Sequence, residues 1–574
     1  MKILVVNLLR LGDVIAMAPA IKAIRLRHPG AEIHLMINSN FEKAAQLIDG
    51  IDQVLNFERD RIQAACVDAN RPMFEAYDWL QRFVEETSDR SYDKIFNFTH
   101  NRLSGWLCGL IESPKKVGLV LDGSGAVSFG SSWFRQLNQQ VDFDDVQAFN
   151  HTDVFLGAVG AWDLVAEANF FDALLKETAE GRREAAALTA KAEGATTKIA
   201  FQISTSDAKK EWGDARFRAL AETLLRAKPE SIIYVTGAPN ERERIEAFCR
   251  SCEVAPNSIQ PAILSLAGVV SLLEEVELLV TGDTSIKHLA AAGTTRVIEL
   301  IVGSADAYRT GSWKAGDFLI ASREACAPCG HSEACHRTSH ACAIAIAVES
   351  VSPLALAVLS GESTSVIRAR MSGLKSLQSF VVDRSEGLVQ LVPMSNEGLT
   401  DRALALSIER AARRLSLEKR EGRFDKLNVG SEMLKVRRAI VEKFPDATAT
   451  DFRHSLGDGE ARLRHAEGIV NSLKIQLLHL KESFQDPKRI HEMVSMVTAM
   501  RARLQKNPWT RFVAEPLIQV LEDDRSAPFA RFRKLSDAVQ DLEMRLSIAL
   551  KLLRGLENDF ENENVTQSSM GDRV

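Results

Sequence analysis

Twice along this 574-residue chain, short apolar runs alternate with longer amphipathic stretches, and that rhythm constrains the fold more than any other feature. Lys2–Leu9, Glu32–Ile37, Gln53–Phe57, Lys94–Phe98 and Lys116–Val120 read as strands. Helical patterns separate them at Val14–Arg27, Phe41–Asp49, Phe74–Glu86 and Arg102–Ile111. Residues 121–195 are less regular and end in an Ala-, Glu- and Lys-rich helix, Lys176–Glu193, placed between two lobes. The rhythm then restarts, with strands at Lys198–Ile203, Ser231–Thr236, Glu277–Thr281 and Arg296–Ile301. Helices are expected near Asp214–Ala227, Asn240–Arg250, Leu266–Leu273 and Ser285–Ala292. Such alternation builds a parallel sheet with helices on both faces. The expected class is therefore α/β, with two Rossmann-like domains, 1–175 and 176–350, facing a cleft.

Beyond residue 351 the pattern changes to Arg-, Glu- and Leu-rich helical segments: Thr400–Leu417, Ser431–Lys443, Gly459–Phe484, Arg489–Gln505 and Ala530–Asn558. One β-hairpin is expected at Ser379–Met394, and 561–574 reads as a polar, fraying tail. This mainly helical extension, 351–574, carries no catalytic constellation and suits packing, a homo-oligomer or partner binding. With 71 basic and 77 acidic residues the net charge is −6, which gathers no phosphate backbone and argues against nucleic acid. Arg10 and Asp13 break the apolar amino terminus, which makes it a poor signal peptide. Glu349, Ser350, Ser352 and Pro353 break the apolar stretch 343–359, so no membrane span is expected. A cytoplasmic protein follows, with room for a peripheral membrane contact.

Four stretches carry chemistry. Arg10-Leu11-Gly12-Asp13 joins the first strand to the first helix, where ligands bind in an open α/β sheet; locally, Asp13 is equally a helix N-cap. Ser204-Thr205-Ser206 precedes Lys209, Lys210 and Trp212, and a lysine there holds a phosphate as a point charge or is simply solvated. Gly237 through Glu241 closes a strand and opens a helix, so Glu241 either accepts from a ribose or favours the helix terminus. Gly282-Asp283-Thr284-Ser285-Ile286-Lys287-His288 opens an Ala-rich helix whose free amides suit a diphosphate, with His288 in the core or near the phosphates.

In this order and at these separations the stretches resemble glycosyltransferase family 9, the ADP-heptose heptosyltransferases of bacterial surface sugars, over residues 1–350. The family signatures are R-L-G-D-v-v-x-x-x-P-A, K-x-W, G-x-x-x-E and D-T-x-x-x-H-L-A-A-x-x-G-T. The chain departs from them at Ser285, where Gly is common, and at Thr295, where Pro is. The spacing from Ala-Ala to Gly-Thr is also one residue shorter. The resemblance implies the GT-B architecture and inverting transfer of a heptose from an ADP-sugar to a hydroxyl on a lipopolysaccharide-type glycan or a protein. Asp13 would be the base, Lys210 would pair with the diphosphate and Glu241 would hold the ribose. Asp283, Thr284, Ser285 and His288 would line the sugar and phosphate seat, and the chemistry would need no catalytic metal. The alternative reading is a noncatalytic scaffold whose extension binds partners. An epimerase of similar rhythm is disfavoured because no Gly-rich G-x-G-x-x-G turn follows the first strand.

Four of the eight cysteines, Cys326, Cys329, Cys335 and Cys342, fall close together, which favours a closed structural zinc or iron site over disulfides in a reducing compartment. His331, His336 and His340 interleave them and could replace one thiolate; reduced thiols in a loop, or a redox switch, are the alternatives. The cluster is similar to the iron-holding cysteines of the family 9 enzymes that heptosylate autotransporters. Cys249 and Cys252 have CxxC spacing without a partner pair.

Overall fold

A computed structural model describes residues 1–67, 73–142, 149–190, 194–254, 257–330, 333–335, 337, 339–373, 377–384, 387–394, 401–423, 449–480, 487–505, 507, 509–510 and 528–571. In the first half, β1 (Lys2–Asn7), β2 (Glu32–Asn38), β3 (Gln53–Phe57), β4 (Lys94–Asn97) and β5 (Lys116–Gly118) pair in the order β3-β2-β1-β4-β5, all parallel. A small ribbon, β6 (Val120–Leu121) with β7 (Val127–Ser128), follows. In the second half, β8 (Thr197–Gln202), β9 (Ser231–Thr236), β10 (Ile259–Ala262), β11 (Leu278–Thr281), β12 (Arg296–Ile301) and β13 (Phe318–Ser322) run parallel as β10-β9-β8-β11-β12-β13. The antiparallel hairpin β14 (Leu377–Asp383) and β15 (Gln390–Pro393) extends that edge. The central strands are buried on both faces, as their unbroken apolar runs require; Ile3, Leu4, Val5 and Val6 are all solvent-free.

In each sheet the strand order reverses between two neighbours, β1 and β4 in the first and β8 and β11 in the second. Loops leaving the carboxyl ends of such a pair diverge and open a crevice. Both sheets lie in one compact unit, Met1–Asn138 with Ala148–Ser395, which is the two-sheet α/β arrangement of the GT-B class.

That unit reaches past the boundary expected at 350. The helices Val348–Leu359 and Thr364–Met371 put Val351, Leu354, Leu359, Ile367 and Met371 into the same core as Ile199, Phe217 and Leu220. The hairpin expected in the extension is instead the last edge of the second sheet. The expected interlobe helix forms over Ala179–Thr189 and packs on Leu266–Glu275.

The second unit is Gln139–Gln147 with Asn396–Val574. Its helices Asp401–Arg420, Ala449–Leu480, Pro487–Gln505 and Pro528–Gly571 share a core of Leu404, Ile408, Leu463, Leu473, Trp509, Leu542 and Leu553. Charged pairs are sunk among them: Arg545 Nη2 sits 2.8 Å from Asp541 Oδ2, and Arg413 pairs with Glu409. The expected helix Ser431–Lys443 lies outside the described residues. The tail expected to fray is helical through Gly571.

Candidate active site

Asp13 stands where β1 gives way to the helix Leu11–Ala16. Asn7, the last residue of β1, shapes that turn: its Oδ1 accepts from Leu9 N–H at 3.2 Å and its Nδ2 donates to the Asp13 carbonyl at 3.1 Å. Asp13 is not the N-cap the local reading offered: Arg10 holds that place, and Asp13, the third residue of the helix, reaches back so that its Oδ2 accepts from Arg10 N–H at 3.3 Å. The same carboxylate reaches further, since Oδ1 lies 3.5 Å from His151 Nδ1 and the side chain keeps 21% of its exposure. Burial works to raise the Asp13 carboxyl, but His151, with His100 and His288, outweighs it and holds the group below its ordinary value.

His100 and His151 carried no signal in a linear reading. His100 follows β4, the neighbour of β1 across the first reversal, and Thr99 Oγ1 accepts from Leu8 N–H at 2.9 Å to join the two strand ends. His151 begins the helix His151–Val159, and its ring lies 6.5 Å from that of His100. Burial pushes His100 down to about 4 and His288 down to about 3, so both imidazoles are neutral at ordinary pH. His100 Nδ1, His151 Nε2 and His288 Nδ1 are buried with no hydrogen-bond partner among the described residues.

Gly12 brings the two sheets' loops together. A Cβ built on it would stand 2.9 Å from His288 Cδ2 and 3.8 Å from Ser285 Cα, so only glycine lets the Arg10–Asp13 turn lie flat on the helix Ser285–Ala291. Thr284 caps that two-turn helix, with Oγ1 accepting from Lys287 N–H at 3.4 Å and meeting Thr281 Oγ1 at 3.0 Å.

Beside the helix, Lys210 Nζ donates to Asp283 Oδ2 at 2.6 Å. Lys287 Nζ donates to Asp283 Oδ1, Glu299 Oε1 and the Thr310 carbonyl, each at 2.7 Å. Glu299 Oε2 accepts from Ser312 N–H at 2.7 Å. Burial would raise Asp283, but Lys287 and Lys210 overcome it and keep the carboxylate ionised far below its usual range. Burial likewise opposes the Lys287 charge and is overcome by Asp283 and Glu299. Burial pushes Glu299 up, with Lys287 pulling the other way. The expected Lys210 and Asp283 are therefore partners, with Lys287 completing a cation–anion–cation row. Glu299 was legible in principle as a carboxylate inside the apolar strand Arg296–Ile301.

Trp212 fixes the Lys210 loop: it is fully buried, donates Nε1–H to the Ile346 carbonyl at 2.7 Å and packs edge-on to Phe217. Glu241 is half-buried at the end of its turn, where Oε2 accepts from Ala238 N–H at 2.8 Å, which is the helix-terminus role.

The cysteine segment docks on the same loop through Lys209: His340 Nε2 lies 2.9 Å from the Lys209 carbonyl, and Lys209 Nζ donates to the Gly330 carbonyl at 3.3 Å. Cys342 is buried, Cys326 and Cys329 are half-buried and Cys335 is exposed. Burial raises Cys329 and Cys342, which favours the protonated thiols. As placed, the four do not fit a metal, because no three His, Cys, Asp or Glu side chains among the described residues form a ligand set. His331 and His336 lie outside the described residues. Cys249 and Cys252 have thiols pushed up to about 12 and about 11, mainly by burial. No helix among the described residues is long and apolar enough to cross a membrane.

Residues 80–339 match the family model for glycosyltransferase family 9 (heptosyltransferase). The family 9 match takes in His100, His151, Lys210, Glu241, Asp283, His288 and three of the clustered cysteines; Asp13 precedes it and Cys342 follows it. Lipopolysaccharide heptosyltransferase 1 of Pseudomonas aeruginosa is 24% identical over 329 residues, 57% of this chain and 86% of that protein. Among solved structures, the ADP-heptose lipopolysaccharide heptosyltransferase II of E. coli is 14% identical, over 63% of this chain and 99% of that one, at a TM-score of 0.46. A family 9 glycosyl transferase of Veillonella parvula is 17% identical, over 55% and 85%, at a TM-score of 0.43.

Proposed function

We propose that this chain is an inverting glycosyltransferase that moves a heptose, or a related sugar, from an ADP-sugar to a hydroxyl of a bacterial surface glycan of the lipopolysaccharide type or of a protein. The observation that carries the reading is the contact of Gly12 with His288, which sets a half-shielded carboxylate, Asp13, directly beside the helix start expected to seat the diphosphate. Transfer by single displacement breaks the bond from the sugar carbon to the diphosphate as the acceptor oxygen bonds the opposite face. Negative charge grows on the leaving group while the hydroxyl sheds a proton. Asp13 accepts the proton. Lys210, released from Asp283 toward the diphosphate, and the amides at Thr284 and Ser285 receive the charge, and Lys287 keeps Asp283 ionised when Lys210 turns away. Glu241 has a second oxygen with which to accept from a ribose hydroxyl.

The proposal also keeps a structural zinc or iron on Cys326, Cys329, Cys335 and Cys342. It requires the whole cysteine segment to draw together, Cys335 turning inward from its exposed position, because no three of these thiols form a ligand set as placed, and it supplies no step of the transfer. The protein is expected to work in the cytoplasm, alone or as a homo-oligomer.

The deciding experiment is calorimetric titration with ADP, UDP and GDP. Selective ADP binding, weakened in Lys210→Ala and Glu241→Ala, is expected. Binding to none of the three would turn the reading to a noncatalytic scaffold, and UDP selectivity would discard the ADP-sugar. In Asp13→Ala, donor binding is expected to survive while transfer falls by about 10²–10⁴-fold.

A further inference from the structure

The Asp13 carboxylate is held at both oxygens, by Arg10 N–H on one and by His151 Nδ1 on the other. A carboxylate only accepts, so this contact selects the imidazole tautomer with its proton on Nδ1 and leaves Nε2 as a bare lone pair. Nε2 is the buried atom that finds no donor among the described residues, which fits a nitrogen whose tautomer is dictated from its other side.

The backbone of His151 is itself fastened to the second half of the fold. Its N–H donates to the Arg309 carbonyl at 2.9 Å, and Asn150 Nδ2 donates to the Gly311 carbonyl at 2.9 Å. Between those two acceptors lies the Thr310 carbonyl, which takes Lys287 Nζ at 2.7 Å. Thr152 Oγ1 anchors the other flank by donating to the Ala16 carbonyl at 3.2 Å.

Resting on the reading of Asp13 as the base, we propose that His151 is its positioning residue: it donates Nδ1–H to Asp13 Oδ1, aims the carboxylate at the acceptor hydroxyl, and ties that aim to segment 309–311, which also holds Lys287. The proton count is simple. The hydroxyl O–H breaks and its proton passes to Asp13; the new C–O bond forms as the sugar–diphosphate bond breaks; His151 keeps one proton throughout. The other groups that face Asp13 are His100 from the loop after β4, His288 from the helix Ser285–Ala291 and the Arg10 N–H of its own turn.

The test uses full-length protein labelled with ¹⁵N-histidine, and wild type, Asp13→Ala, His151→Ala and His151→Asn. The His151 signals are identified by their absence from His151→Asn. They are expected to report the Nδ1-protonated tautomer in wild type and to move toward a mixture in Asp13→Ala. Transfer is read as ADP release from ADP-heptose with heptose-deficient lipopolysaccharide. His151→Ala is expected to lower kcat roughly 10²-fold, the scale of a misaimed catalytic group, with KM for the donor unchanged. Asparagine places an amide N–H where Nδ1 stood and should restore most of kcat. An Nε2-protonated tautomer in wild type, wild-type turnover in His151→Ala, or equal losses in the alanine and asparagine variants would each overturn the proposal. If Asp13→Ala keeps full transfer, the base reading falls; if Asp13→Ala loses transfer and His151→Ala does not, only the positioning role falls. Should the alanine variant fail to fold, the tautomer in wild type still decides.

Discussion

Replacing Gly12 by alanine probes the contact on which the proposed site rests. The added carbon would stand 2.9 Å from His288 Cδ2 and 3.3 Å from Nε2, well inside ordinary van der Waals separation. His288 is buried and cannot swing away freely, so the strain belongs with overpacked cores, at about 1–3 kcal/mol. Against this, alanine gains up to about 1 kcal/mol over glycine inside a helix, less in a first turn, where residue 12 lies. The sum is a net loss of about 1–2 kcal/mol. In a His288→Ala background the obstacle is gone and the sign should reverse, giving a coupling of about 2 kcal/mol in the double-mutant cycle. Denaturant unfolding of the four proteins measures it, with ADP titration alongside to show whether the strain reaches the donor seat. Additive effects, within about 0.5 kcal/mol, would mean that Gly12 and His288 are not pressed together and would remove the main support for placing Asp13 beside the diphosphate.

Three further outcomes are expected. Asp283→Asn leaves Lys210 without a counter-charge and Lys287 with half of its own, so a stability loss of about 3–5 kcal/mol should appear on denaturant unfolding; a change under about 0.5 kcal/mol would mean the lysines are solvated. Burial depresses His288 to about 3, so the unfolded chain binds a proton that the native site refuses as pH falls from about 6.5. That contribution is complete above pH ~6.5 and is lost at about 1.4 kcal/mol per unit on the way down. His288→Gln should flatten the acid limb of stability against pH, and an unchanged slope would place the imidazole in water. Elemental analysis of the purified protein should find about one zinc or iron per chain, lost in Cys329→Ser; a metal-free wild type would discard the four-cysteine site.

The strands were legible because parallel strands buried on both faces must be continuous apolar runs, and Ser231–Thr236 and Arg296–Ile301 coincide with their expected limits. β10 escaped because Pro261 interrupts it, which is tolerable only because it is the sheet's outermost strand, and edge position is not written in sequence. The boundary at 350 failed for a related reason. Val348–Leu359 looks like the start of a helical extension, whereas its apolar side is the cover of the second sheet. The motif residues were visible as strand-to-helix junctions, but their partners were not. His100 meets Asp13 because β4 lies against β1, His151 because its helix packs on the helices after β1, and Glu299 meets Lys287 because β12 lies against β11. Topology, not local pattern, decides such neighbours.

Arg384, in the hairpin that closes the second sheet, donates Nη2–H to Asp153 Oδ1 at 2.8 Å, while Asp153 Oδ2 accepts from Val389 N–H at 2.9 Å. Both side chains of this pair are almost wholly buried, and Asp153 sits two residues along the helix from His151. Cutting the chain where the family match stops, at 339, would strip away the arginine and strand a charge in the interior, at a cost of about 3–5 kcal/mol. A minimal transferase must therefore run to at least Met394. The apparent tail of the second sheet is a structural organ of the first half, and a substitution in it should surface as a defect at Asp13.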